Sequence, residues 1–270
     1  GAHLRYRELG DSSFTISIIL VDFIIFEAGQ FPHKRSRVRR VDGKTYIEVN
    51  KYITDLNDWD MKVGANNVRK YDHAMLFTRH VLYEGCTSNT GIAGISNQDG
   101  VCLLGSRNSV IMSRDYSWTV LTATHELGHS LGAVHDGEEN ASDCKAEDLF
   151  IMSAEGKPIN LSLPYSRNPW LFSNCSVKAF KKVLKDKDCV TDKGAVYNVD
   201  EWTKYMMKQA GDVFTPDVQC HLMRGPKSVY CGLDISEICN LIRCTVPQTG
   251  KCRGKYYNAA RGTNCGDMKS

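Results

Sequence analysis

The first sustained apolar run, TISIILVDF from Thr15 to Phe23, is continuous and rich in β-branched residues. It lacks the alternation of a strand with one wet face and reads as a strand buried on both faces. Within VNKYITDLNDWDMKV, apolar Val49, Tyr52, Ile53 and Leu56 recur at intervals of three and four, which predicts an amphipathic helix. HAMLFTRHV (His73 to Val81) and TGIAGI (Thr90 to Ile95) read as strands. Tyr116 to Ala133 reads as a long helix with Ser117 as its N-cap, and Ser176 to Asp186 as a last helix. The pattern to this point is mixed α/β. One polar stretch interrupts it: HKRSRVRR, His33 to Arg40, is basic and reads as exposed. Its Arg37-Val38-Arg39-Arg40 has the shape that furin-type proteases cut, although a solvated loop is the commoner meaning. After residue 215 periodicity fades, and about 55 residues rich in Gly and Cys cannot bury a sizeable core, so disulfides must hold that part together.

Composition narrows the class. With 270 residues and 42% hydrophobic content the chain can build a real core. The net charge of +3 is mild, and the absence of a basic stripe with interleaved aromatics argues against a nucleic-acid partner. The longest apolar run, Ile16 to Phe26, is broken by Asp22 and too short to span a bilayer. No cleavable leader is legible at the N-terminus, so the chain reads as a mature form or as lacking what came before. The 11 cysteines change the picture most. Cys86, Cys102, Cys144, Cys175 and Cys189 precede residue 190, and the other six crowd the region from Cys220 onward. They lack the paired spacing of zinc ribbons. Together with N-glycosylation triplets at Asn140, Asn160 and Asn174 they place the chain in an oxidising setting, secreted and extracellular. We read it as a monomer. An odd count leaves at least one thiol free or paired outside the chain. Cysteine density divides the chain into residues 1–192, a linker over 193–215, and a compact module over 216–270.

The chemistry concentrates in LTATHELGHSLGAVHDG, Leu121 to Gly137. His125 and His129 are four apart, hence one turn apart on one face of a helix. Two imidazoles so placed can grip one Zn²⁺. Glu126 stands beside the first ligand and can reach water at the metal. Gly132 tolerates positive φ, so it can end the helix and return the chain, bringing His135 in as a third ligand. The fourth position then stays open, as a catalytic zinc site requires.

HELGHSLGAVHD, His125 to Asp136, resembles the metzincin signature H-E-x-x-H-x-x-G-x-x-H, and Asp136 after the third histidine is similar to its adamalysin (reprolysin) branch. The resemblance runs from about residue 12 to 192. It implies an α/β metzincin catalytic domain: a mixed, mostly parallel sheet with helices and a zinc cleft. It also implies a methionine turn with Met152 beneath the metal, and a pocket lined by residues from there to about Ser166. GIAGI, comprising Gly91, Ile92, Ala93, Gly94 and Ile95, resembles the edge strand on which this family receives an extended substrate. By the family's pattern Cys102 pairs with Cys189 and Cys144 with Cys175, leaving Cys86 over. Asp72 and Asp192 match two places of a structural Ca²⁺ site, but Ile16 or Ser17 stands where the family has an acid on its first strand. The family also has a long helix and a further strand before YDHAMLFT, for which only a short stretch is available here.

Gln219 to Lys269 resembles the disintegrin-like, cysteine-rich segment of ADAM-TS enzymes, a layout also found in metalloproteases of tick saliva and scorpion venom. That pattern implies Cys220–Cys244 and Cys231–Cys252. Cys239–Cys265 is one further arrangement, since connectivity is not readable from spacing. Arg261-Gly262-Thr263 reads as a loop glycine after a surface arginine, not as an integrin motif. The resemblance implies a secreted zinc endopeptidase acting on extracellular proteins or peptides, a venom or salivary toxin, with Glu126 as general base. The alternative is a non-catalytic secreted protein that binds its target through the cysteine-rich module.

Overall fold

A computed structural model describes residues 2–27, 31, 38–65, 71–85, 91–114, 116–154, 168–191, 208–232, 238, 241–254, 259–264 and 266. Its first element is a short helix, α1 (Ala2–Arg7), that the hydrophobic pattern does not announce. Tyr6 on it is fully buried, packs on Phe172 and Phe180, and donates its hydroxyl to the Thr124 carbonyl at 2.8 Å. The hairpin of β1 (Val38–Val41) and β2 (Lys44–Glu48) follows, closed by a tight Asp42-Gly43 turn, and then α2 (Val49–Ala65). Val49, Tyr52, Ile53 and Leu56 are all buried, so the spaced apolar positions form the inward stripe of α2.

β3 (Ala74–Thr78), β4 (Val81–Tyr83), β5 (Gly94–Ser96) and β6 (Asn108–Met112) complete the sheets of this part. The sheets are mixed but divided. Among the described residues β1-β2-β4 and β3-β6-β5 are separate three-stranded sheets, each with one parallel and one antiparallel pairing. Mixed sheets with helices are what the α/β metzincin reading calls for, with parallel and antiparallel pairings equally represented among the strands of these two sheets. β6 is central in its sheet and buried at all five positions. Val110 and Met112 pack with the α2 stripe. α2 is also pinned to the turn leading into β6 by polar groups: Asp60, fully buried, pairs with Arg107 at 3.2 Å and accepts the Gly105 N–H at 2.9 Å. Across the molecule a second core gathers Tyr6, Leu127, Leu131, Met152, Phe172, Val177 and Phe180 beneath α3 (Tyr116–Ser130) and α4 (Asn174–Leu184). α3 begins one residue before the expected cap, Ser117.

The run Thr15 to Phe23 corrects the first expectation. It forms no strand. Ile16 donates its N–H to Tyr6 O, and Ile16 and Ile18 pack beside α1's core, but Ile19 is 53% exposed and Phe23 72%. A β-branched run becomes a strand only where a neighbouring edge receives it, and none of the described strands does so here. In the basic stretch, Val38, Arg39 and Arg40 are exposed on β1; residues 33–37 lie outside the described residues. β1, β2 and α2 all fit between the first apolar run and β3, so that stretch is long enough for a helix and two strands.

The structure joins Cys102 to Cys189 and Cys144 to Cys175. It also joins Cys220 to Cys244 and Cys231 to Cys252. Cys86, Cys239 and Cys265 lie outside the described residues. Cys102–Cys189 closes a loop of 87 residues that contains β6, α3 and Met152. Replacing both cysteines by serine is expected to cost about 4–5 kcal/mol in the chain-entropy account. The measure is Tm under non-reducing conditions, and an unshifted Tm would show the crosslink to be idle.

The C-terminal module holds a small core of Cys220, Ile238, Ile242 and Cys244. It contains α5 (Ala210–Val213), α6 (Pro216–Arg224) and the short pair β7 (Cys244–Thr245) and β8 (Cys252–Arg253). α6 starts on Thr215, whose hydroxyl accepts the Val218 N–H, with Pro216 in its first turn. α5 falls in the stretch read as linker, yet Gly211 donates its N–H to Arg261 O at 2.8 Å, which ties α5 to the module. The Arg261 side chain is exposed and reaches Glu8 at 3.9 Å, while Thr263 is buried. Among the described residues no helix is long and apolar enough to cross a membrane.

Candidate metal centre

α3 carries His125 and Glu126 side by side and His129 one turn later. The helix ends at Ser130. Gly132, at φ +101°, then reverses the chain in a conformation costly for any residue with a β-carbon. The reversed segment is anchored by Asp136, which is buried, accepts the Ser173 hydroxyl at 2.6 Å and donates its N–H to Met152 O at 3.0 Å. His135 is thereby held opposite the helix. Met152 is fully buried below.

The three Nε2 atoms form a nearly equilateral triangle. His125 and His129 are 3.1 Å apart, and each stands 3.2 Å from His135. Their other ring nitrogens are committed. His125 Nδ1 lies 2.7 Å from Ile151 O and His129 Nδ1 lies 2.8 Å from Ala133 O. His135 Nδ1 lies 3.3 Å from Glu138 Oε2. Carbonyl and carboxylate oxygens only accept, so each Nδ1 carries the proton and each Nε2 offers a lone pair. Three lone pairs meeting at this distance repel one another unless a cation lies among them. Tetrahedral ligation at 2.0–2.1 Å separates nitrogens by about 3.3 Å, so the donor set fits Zn²⁺. Burial lowers His125 to about 3 and His129 to about 4, which keeps both neutral and able to ligate.

Glu126 is 5% exposed, and burial raises its carboxyl to about 8 in the metal-free protein. A dication close by would favour the carboxylate and pull the value down. The histidines and Glu126 line a cleft of about 550 Å³. One wall is the chain from Gly91 to Ser96, which includes β5; the other includes Leu149, Phe150 and Ile151. Trp118, Leu121 and Thr122 of α3 and Pro169 complete it.

The placement of the expected site residues is uneven. His125, Glu126, His129, His135 and the stretch Gly91–Ile95 come together in one cleft. Beyond Met152 only Ser153 and Ala154 of the expected pocket segment are placed in its lining, and residues 155–167 lie outside the described residues. Leu149 to Ile151, ahead of the methionine, form the wall instead. Asp72 sits close to the sulfurs of Cys102 and Cys189, but both sulfurs are spent in their disulfide. Asp192 lies outside the described residues, so a calcium site has a single placed carboxylate behind it. Asn140 and Asn174 are exposed, and Asn160 lies outside the described residues. The sequence reading missed Glu138 and the carbonyls of Ala133 and Ile151, which orient the imidazoles. It also missed Trp118 and Leu121, although their spacing of seven and four before His125 puts them on its face of α3.

Comparison with known proteins follows the same division of the chain. Residues 5–167 match the family model described as metallo-peptidase family M12, and residues 210–270 match ADAMTS cysteine-rich domain 2. The chain is similar to a disintegrin and metalloproteinase with thrombospondin motifs 12 of Mus musculus, 29% identical over 84% of this chain and 14% of the relative. A thrombospondin-motif-like relative of Bombyx mori is 28% identical over 99% of this chain and 38% of its own length. A disintegrin and metalloproteinase with thrombospondin motifs 7 of Rattus norvegicus is 30% identical over 76% of this chain and 12% of its own. The chain thus spans well under half the length of these relatives.

Proposed function

Because the chain belongs to metallo-peptidase family M12, as a metalloprotease of the adamalysin type with an ADAMTS cysteine-rich domain, we propose that it is a secreted zinc-dependent endopeptidase acting on extracellular proteins. The observation that carries this reading is the triangle of Nε2 atoms, 3.1–3.2 Å apart, beside Glu126 in an open cleft. His125, His129 and His135 hold the metal, each turned by an acceptor behind its ring. When bound, Zn²⁺ polarises the scissile carbonyl and makes water nucleophilic near neutral pH. Glu126 takes the proton of the attacking water and delivers it to the leaving amine. Substrate lies extended along Gly91–Ile95. There β5 is paired with β6 on one side and borders the cleft on the other. The apolar side chains of Leu121, Trp118 and Pro169 favour an apolar residue after the cut bond.

Secretion is supported by four disulfides within one chain. The protease unit covers residues 1–192, and the module starts near residue 209, where α5 begins to bond to it. The module serves to hold large substrates. A venom or salivary role rests on the arthropod resemblance alone.

Hydrolysis of a fluorogenic peptide with and without o-phenanthroline tests the reading. Turnover is expected to vanish with the chelator and to return on adding zinc. Chelator-insensitive hydrolysis would sink it. No hydrolysis at all by zinc-loaded protein that still binds targets would favour the non-catalytic binder.

A further inference from the structure

Glu126 has an unusual support. Among the described residues no donor hydrogen-bonds its carboxylate, and the residue is buried. A carboxylate without a donor is oriented by what it packs against. The packing partner is Gly94 of β5, which runs antiparallel to β6 with Gly94 opposite Ile111. A β-carbon at position 94 would stand 2.7 Å from Glu126 Oε1 and 2.8 Å from its Cγ. It would also stand 2.8 Å from the carbonyl oxygen of Val110. All three distances are far inside van der Waals contact. The Glu126 side chain therefore occupies the space that any residue except glycine would fill.

We propose that Gly94 is a positioning residue for Glu126, its missing β-carbon forming the seat in which the carboxylate rests. The proposal builds on the base role given to Glu126 above. It assigns position 94 a demand apart from substrate pairing, which uses only the strand's backbone. The seat also fixes the distance between the strand that receives substrate and the group that moves the proton. With a methyl group there, Val110 O, being backbone, cannot yield, whereas the Glu126 side chain, overlapped at both Cγ and Oε1, can rotate away. The carboxylate would swing off its station, while the three histidines, none of them among the three atoms nearest that β-carbon, would keep the metal.

The test is a cycle of four full-length proteins: wild type, Gly94→Ala, Glu126→Ala and the double variant. In metal-free protein, Gly94→Ala is expected to lower Tm by several degrees, and the loss should shrink when Glu126 is already alanine, leaving only the share due to the Val110 carbonyl. An equal loss in both backgrounds, or none in either, overturns the proposal. If Gly94→Ala alone does not fold, the double variant decides. A folded, zinc-binding double variant supports the seat, and failure of both to fold overturns it. In zinc-loaded protein, Gly94→Ala should keep one zinc per chain and lose roughly 100-fold in kcat, with KM moving far less. Wild-type kcat overturns the proposal. Glu126→Gln measured alongside separates the two failures. Lost turnover there with wild-type turnover in Gly94→Ala sinks the seat alone. Wild-type turnover in Glu126→Gln sinks the base role and with it the positioning role, whatever the Tm cycle shows.

Discussion

Glu126→Gln is expected to leave one zinc per chain and to lower kcat by roughly 10²- to 10⁴-fold, the range attributable to a positioned general base. The substitution isolates the proton-transfer role. Glutamine has the outline of glutamate, so it fits the same space against Gly94 without new overlap. The site is 5% exposed and carries no hydrogen bond that an amide would forfeit among the described residues, so folding should tolerate it. His125, His129 and His135 keep their acceptors at Ile151, Ala133 and Glu138, so metal affinity should barely change. An amide cannot take a proton from water at neutral pH. Elemental analysis and steady-state kinetics on one preparation read both halves of the expectation. Loss of zinc would give Glu126 a structural part that the geometry does not. Unchanged kcat with zinc retained would remove it from the reaction.

The sequence and the structure agree where the information is local. The spacing of Val49, Tyr52, Ile53 and Leu56 is the period of a helix, and those four side chains are the buried stripe of α2. His125, Glu126 and His129 were legible for the same reason, and Gly132 marked the reversal that brings His135 round, at φ +101°. Thr15 to Phe23 was misread because a strand is a relation between segments. Its composition is that of a buried strand, but pattern alone cannot supply the edge it would need. α1 was invisible for the converse reason: six residues carry no periodicity, and Tyr6 is placed by rings that lie far away in sequence, Phe172 and Phe180. The acceptors behind the imidazoles were illegible for a third reason. A backbone carbonyl, as at Ala133 or Ile151, has no sequence signature, and Glu138 among several acidic neighbours is distinguished only by lying 3.3 Å from His135 Nδ1. The gap at Gly94 belongs to the same class, since a glycine shows why it is needed only when the side chain from another element appears in its place.

His135 supports the second large expectation. His135→Ala should abolish stable zinc binding and with it peptide hydrolysis, because the third ligand comes from outside the helix and nothing on α3 can replace it. The two helical histidines would remain, 3.1 Å apart, as a bidentate pair too weak to hold the ion through dialysis. Glu138→Ala is the informative companion. Its carboxylate orients His135 and fixes the proton on Nδ1, but the side chain is 59% exposed, so water can take its place. Removing such an orienting partner costs roughly 10- to 100-fold in metal affinity, and its exposure argues for the lower end. Titrating both variants with zinc while following hydrolysis should divide them. Glu138→Ala should regain nearly full turnover at higher free zinc, since every ligand is still present. His135→Ala should stay inactive at any zinc concentration that leaves the protein soluble. A His135→Ala protein that binds zinc as wild type does would mean that the triangle of nitrogens is not the metal's seat, and the reading of this cleft as a peptidase centre would fall with it.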